Sequence, residues 1–206
     1  MLLKDTISDY LLFIKHEQNV TRSTYAGYAS WLRNFLRWLA DQGIEDPSLD
    51  SFSTPILRKF LYHLSEKGYR PRTIRGVFHP LRGLGEYLLK EGMIAVNPVK
   101  AIRMPKLDAA IRLTVTKEQV SALLDACSRI YPKRRSALAK SLLCVLLYGG
   151  LRREELCNLK VSDFDSGSGS VLVRSGKGRK SRRVYLCDDG IEAVKAWLEH
   201  REKDSS

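Results

Sequence analysis

No two of the four cysteines in this chain form a C-x-x-C pair, and none has a histidine at metal-ligand spacing. That excludes the common zinc motifs. Cys144 and Cys157 lie within apolar helical patterns and are expected to be buried thiols, as suits a reduced cytoplasmic compartment. Long hydrophobic runs are also missing. The longest, Ser141 to Tyr148, falls far short of the ~20 residues that cross a bilayer, so no membrane partner is expected. Near the start, Asp5 and Asp9 interrupt the apolar positions, which does not fit a secretory leader. Acidic residues are comparatively few: 35 Lys and Arg face 23 Asp and Glu, a net charge of +12 over 206 residues. Basic side chains that neutralise phosphates release condensed counterions, so this balance points to nucleic acid ahead of a merely solvated basic surface. The basic residues also stand beside turns and helix starts, not in a polar tail.

What is present divides in two. Up to about residue 97 the apolar spacing is helical throughout. Ile7, Tyr10, Leu11 and Ile14 mark a first helix, and Tyr25, Tyr28, Leu32, Phe35, Leu36 and Leu39 mark a second that Gly43 ends. Ser53-Thr54-Pro55 opens a third with Ile56, Phe60 and Leu64 inward, the expected cap being Thr54, the residue before Pro55 at the first helical position. Pro71 opens a fourth through Ile74, Val77, Leu81, Leu84 and Leu88; Gly76, Gly83 and Gly85 weaken it, and Pro80 predicts a kink. Residues 98–113, with two prolines and spaced basic residues, read as an extended linker.

From residue 114 the character changes. Thr116 and Gln119 form a capping-box pattern before Val120, Leu123 and Leu124. Lys133 to Leu147 predicts a helix whose apolar second half is buried on every side, and Gly149-Gly150 ends it. A short helix follows from Arg152 to Leu159. Ser166 to Gly169 is a turn, and Val171–Val173 and Arg183–Leu186 are two strands joined by a Gly-Lys-Gly loop. A last helix carries Ile191, Val194, Trp197 and Leu198, with His200 on its exposed face. The fold class is thus mainly α with a small β-hairpin. A P-loop is excluded, because Val171 stands where its first glycine belongs and Gly178 where Ser or Thr belongs.

Three stretches in the second half carry a specific resemblance. Gly149-Gly150-Leu151-Arg152-Arg153-Glu154-Glu155-Leu156 resembles the Thr-Gly-x-Arg-x-x-Glu-Leu motif of the tyrosine recombinases, the phage-integrase and Xer-type enzymes. Leu159 to Asp165 is similar to their Leu-x-x-x-Asp-hydrophobic-Asp stretch, and Gly176-Lys177-Gly178-Arg179-Lys180-Ser181-Arg182-Arg183-Val184 to their lysine hairpin. Gly149 replaces the usual threonine, and Tyr185 the proline often found before Leu186. In the first half, Thr24, Tyr28, Leu32, Phe35 and Trp38, then Thr73 to Arg75, Leu81-Arg82, Tyr87-Leu88, Glu91-Gly92 and Asn97-Pro98, resemble the helices of the family's SAM-like core-binding domain.

The resemblance implies residues 1–97 as a four-helix DNA-binding domain, 98–113 as linker, and 114–206 as the first part of an α+β catalytic domain. In this family a tyrosine hydroxyl attacks a DNA phosphate, giving a 3′-phosphotyrosyl link and a free 5′-hydroxyl, with no metal or nucleotide cofactor. By resemblance Arg152 is the guanidinium that donates to the non-bridging oxygens, and Lys177 delivers the proton to the leaving oxygen. Glu155 supports the site by orienting neighbouring basic groups. Thr21, Arg22, Ser23, Arg70, Arg72, Thr73 and Arg75, at the starts of the second and fourth helices, are expected DNA contacts, with Arg153 and Arg179 as backbone contacts or solvated charges. The partners implied are double-stranded DNA and further recombinase protomers, which assemble in the family as tetramers on paired sites.

The second half of the family's site is not found in these residues. His200 is followed directly by Arg201, which is not His-x-x-Arg, and no tyrosine comes after Tyr185, itself expected in a strand. The chain therefore resembles a recombinase truncated before its nucleophile, and strand cleavage by it alone is not expected. Losing the later helices is expected to bare apolar surface around Val145 and Leu147. A non-catalytic regulator or competitor of a full-length recombinase is the alternative. A helical protein–protein module is a third, and it leaves the settings of Arg152 and Lys177 unexplained.

Overall fold

A computed structural model of the chain describes residues 1–107, 114–174 and 181–202. The chain divides into two compact units, Met1–Ile111 and Arg112–Ser206.

The first unit is four helices: α1 (Leu3–His16), α2 (Arg22–Asp41), α3 (Thr54–Glu66) and α4 (Pro71–Lys90). Each buries one stripe. Leu3, Ile7, Tyr10 and Ile14 face inward from α1, and Leu32, Phe35, Trp38 and Leu39 from α2. Phe60 of α3 is the hub, with Phe35 at 5.0 Å, Trp38 at 5.1 Å and Phe78 of α4 at 6.0 Å between ring centroids. Tilted aromatic pairs at this spacing gain beyond their buried area. The stripe of α2 begins later than expected: Tyr25 and Tyr28 are only half-buried, while Trp38 joins the core. In α3, Leu57 and Leu61 are buried beside Phe60 and Leu64, and Ile56 is half-buried. Thr54, the expected cap, is instead the first residue of α3 and donates its hydroxyl to the Pro98 carbonyl at 2.9 Å, while Ser53 before it makes no side-chain cap.

Pro80 and the glycines do not break α4, which runs through them from Pro71 to Lys90. Gly83 and Gly85 mark close approach. A Cβ at residue 83 would collide with the Tyr10 hydroxyl, and one at residue 85 with the Asn97 amide. Asn97 is buried and fully used: its Nδ2 donates to the Arg82 carbonyl at 3.1 Å and to Glu86 at 3.2 Å, while its Oδ1 accepts from the Val99 N–H at 3.1 Å. Residues 98–102 are therefore not an extended linker. Pro98–Ala101 is a 3-10 turn, and Val99 and Ile102 sit in the first core. Two prolines signal departure from the helix, but not the apolar residues between them that hold the chain down.

The second unit contains α5 (Lys117–Ser128), α6 (Lys133–Gly149), α7 (Arg153–Cys157), strands β1 (Phe164–Asp165), β2 (Ser170–Val173) and β3 (Arg182–Tyr185), and α8 (Asp188–Glu202). The expected capping box starts α5: the Thr116 hydroxyl accepts from the Gln119 N–H, and the Gln119 side chain accepts from the Thr116 N–H at 3.0 Å. The sheet is antiparallel in the order β1-β2-β3, with Val171 opposite Val184 and Val173 opposite Arg182. The two-residue strand β1 is an addition to the expected hairpin, paired through Phe164 and Val171. Val145, Leu151, Val171, Val173, Leu186 and Val194 form the core.

Several expectations for this unit fail. Helix α5 buries no residue, and Leu123 is exposed. Helix α6 is not buried all round: Ser141, Cys144 and Val145 are buried and Leu147 half-buried, but Leu142, Leu146 and Tyr148 are exposed. The bare apolar surface thus lies on Leu142 and Leu146, beside Val145. Cys157 is exposed at the end of α7, and His200 is half-buried. No helix among the described residues is long and apolar enough to cross a membrane.

Replacing Asn97 with alanine leaves the buried Val99 N–H without its acceptor and removes the donor that ties the chain to the Arg82 carbonyl and Glu86. Asn97→Ala is expected to cost the first unit about 1–3 kcal/mol, read from urea unfolding curves; a change below about 0.5 kcal/mol would contradict the assigned role.

Candidate functional site

The turn after α6 places Arg152. Gly150 closes the helix in the left-handed region at φ 57°, a conformation that costs glycine nothing. Leu151 then drops into the core, and Arg152 takes extended backbone at φ −76°, ψ 154° as the residue before α7. One turn on, Glu155 reaches back. Its Oε2 accepts from the Arg152 backbone N–H at 2.9 Å, and its Oε1 accepts from Arg152 Nη1 at 2.9 Å.

A second guanidinium meets the same carboxylate from the sheet. Arg182, the first residue of β3, donates Nη1 to Oε1 at 2.9 Å and Nη2 to Oε2 at 2.7 Å. This is the bidentate fork that suits a planar guanidinium and not an ammonium. The Glu155 side chain is 5% exposed, Arg182 is 37% exposed and Arg152 is 61% exposed. A buried carboxylate thus holds a largely exposed cation in place. The Arg182 hydrogen bonds, then the Arg152 N–H and guanidinium, outweigh the opposing effect of burial and hold the Glu155 carboxyl down at about 2.

A second acid–arginine pair lies beside it. Asp163 is buried in the turn before β1, accepts from the Lys160 N–H at 3.0 Å and pairs with Nε of Arg174, the residue after β2. Burial pushes its carboxyl up, but the Lys160 N–H and Arg174 more than offset this, and it titrates below its ordinary value. Arg174 and Arg182 therefore tie both legs of the β2–β3 hairpin to the α7–β1 segment. Lys177 and Arg179 lie outside the described residues.

Of the other expected site residues, Arg153 is exposed on α7. Thr21 caps α2, its hydroxyl accepting from the Thr24 N–H at 3.2 Å and lying 3.1 Å from Ser23 Oγ. Arg22 and Ser23 are exposed beside it, as are Arg70 and Arg72 at the start of α4, while Thr73 is half-buried. Arg75 is engaged within its own unit, donating Nε to the Pro105 carbonyl at 2.9 Å. The α2 and α4 helices touch in their first halves, where the Tyr28 and His79 rings meet edge-on at 5.7 Å. Among the described residues no group of three or more His, Cys, Asp or Glu side chains is arranged to hold a metal ion. Sequence reading missed Arg182, although it stands at the arginine position of the hairpin motif.

Residues 114–206 match the phage integrase family, and residues 7–92 match the phage integrase N-terminal SAM-like domain. The chain is 31% identical over 200 residues to the tyrosine recombinase XerC of Bacillus licheniformis, covering 96% of this chain and 64% of that protein. It is 35% identical over 183 residues to the tyrosine recombinase XerA of Thermococcus kodakarensis, covering 86% of this chain and 56% of the relative. The fold is similar to the Tn1549 transposon integrase in complex with transposon right end DNA, with a TM-score of 0.73 at 19% identity, over 98% of this chain and 66% of that one. It is also similar to the lambda integrase dimer bound to a COC′ core site, with a TM-score of 0.71 at 18% identity, over 98% and 55% of the two chains. The chain belongs to the phage integrase family of tyrosine recombinases. It spans somewhat under two thirds of the length of these curated relatives.

Because Glu155 titrates lower folded than its ordinary 4.5, it binds a proton more weakly in the folded chain. Its contribution to stability is complete above about 4.5 and is lost as the pH falls toward about 2. The difference in thermal midpoint between wild type and Glu155→Gln is therefore expected to be constant near neutrality and to shrink across that window. A difference that does not vary with pH would contradict the pairing.

Proposed function

We propose that this chain binds double-stranded DNA and orients a backbone phosphate at Arg152, as a member of a family that recombines DNA. The observation that carries this is the Arg152 guanidinium, 61% exposed yet tied at one edge to a buried carboxylate. Such a group is pre-oriented, stays charged at any working pH, and is reachable by an anion from solvent. The net charge of +12 and the exposed Arg22, Arg70 and Arg72 at two helix starts support a duplex partner held mainly through its phosphates. Lys177 is proposed as the proton donor to the leaving oxygen, and Arg153 and Arg179 as backbone contacts, on the motif alone. Glu155 is proposed as the support of Arg152. The described contacts of Thr21 and Arg75 favour roles within the first unit over direct readout at those two positions.

The 206 residues contain no tyrosine after Tyr185, which lies in β3. The reading therefore assigns these residues binding and phosphate orientation, not strand cleavage. A chain that occupies recombination sites without cutting them would compete with a complete relative, or join its protomers on paired sites. The tetrameric family assembly makes this the natural second reading.

Fluorescence anisotropy with a labelled duplex tests the binding. Affinity is expected to fall linearly with the logarithm of salt concentration, and Arg152→Ala is expected to weaken binding by about tenfold through loss of a charge-assisted contact. Absence of binding at low salt would overturn the proposal. No covalent adduct is expected on a nicked suicide duplex, and trapping one would overturn the assignment of a non-cleaving role.

A further inference from the structure

Arg182, at the arginine position of the hairpin motif, points its guanidinium at Glu155. Its side chain reaches the carboxylate that holds Arg152, and three observations show what that contact does. The first is rigidity. Arg182 is paired across the sheet with Val173, which is fully buried, and shares a strand face with Val184, which packs on the second core. Its guanidinium starts from a fixed strand position, whereas Arg152 follows a turn.

The second is geometry. Arg152 alone touches Glu155 with one bond to each oxygen, one of them from a long exposed side chain. Arg182 adds a fork that lies along both oxygens at 2.9 and 2.7 Å and fixes the plane of the carboxylate. Oε1 is then held as a stationary acceptor for Arg152 Nη1. The third is charge. One carboxylate shared by two guanidiniums leaves the cluster net positive, so an anion approaching Arg152 does not meet a neutralised pair.

We propose that Arg182 is a positioning residue for Arg152, acting through Glu155: it locks the carboxylate that orients the exposed guanidinium and keeps the cluster cationic. The inference rests on the reading of Arg152 as the phosphate ligand. It assigns Arg182 no contact with DNA.

The test uses Arg182→Lys and Arg182→Gln in the full chain, with two readouts. The first is the guanidinium NMR spectrum of Arg152 in the DNA-free protein, where a held side chain gives resolved, slowly rotating N–H signals. The second is affinity for a short duplex, with thermal midpoints as a check of folding. Both variants are expected to collapse the Arg152 signals to an averaged set and to weaken DNA binding by about tenfold, approaching Arg152→Ala. Should the Gln variant not fold, the Lys variant, which keeps the charge beside Glu155, carries the test. Arg152 signals unchanged in a folded variant would overturn the inference. Full rescue of both readouts by lysine would also overturn it, because charge without the fork would then suffice. Averaged Arg152 signals with undiminished DNA affinity would uphold the link from Arg182 to Arg152 and overturn the phosphate-ligand reading instead.

Discussion

A single buried carboxylate holds the site of the second unit together. Glu155 accepts from the Arg152 backbone, the Arg152 side chain and both arms of Arg182. Burying a charge is costly unless it is paired and hydrogen-bonded, and here both oxygens are used twice. The contact joins the turn between α6 and α7 to the first residue of β3, 27 residues further along the chain. Removing the acid would leave two guanidiniums facing each other. Removing Arg182 would leave the acid to an exposed partner alone. Asp163 and Arg174 repeat the device on the other leg of the hairpin.

The two units are stabilised differently. The first surrounds Phe60 with rings and branched side chains from four helices, and Asn97 fastens the chain as it leaves α4. Among the described residues, the second has a smaller core cluster of six buried side chains and leaves Leu123, Leu142 and Leu146 in contact with solvent. With less apolar area to fix its parts, the position of its hairpin depends more on the two arginines that pair with buried acids. Those pairs also place cationic groups at the surface, so one arrangement would serve both folding and the proposed phosphate binding.

Much of the fold was legible because it follows from local rules. Helix periodicity located all four helices of the first unit, and Thr116 with Gln119 announced the start of α5. Burial was harder to read. The apolar second half of α6 looks enclosed in sequence, yet periodicity reports which residues are apolar and not what covers them, so Leu142 and Leu146 were misassigned. Cys157 was misplaced for the same reason, being the last residue of a one-turn helix. Gly83 and Gly85 read as weak points of a helix, whereas they are where Tyr10 and Asn97 approach it. Arg152 and Glu155 were found through their motif, three residues apart. The Arg182–Glu155 pair spans 27 residues and joins a strand to a helix, so no local pattern reveals it. Strand β1, only two residues long, falls below the length at which alternation can be recognised.

Carboxyl carbon NMR, following Glu155 through an acid titration of the intact chain, would test this account most directly. A carboxylate clamped by two guanidiniums is expected to titrate near 2, well below the ordinary 4.5, and to move back toward that value in Arg182→Gln. Titration of Glu155 near 4.5 in the wild-type protein would mean that it does not hold Arg152, and the proposed site would lose its foundation.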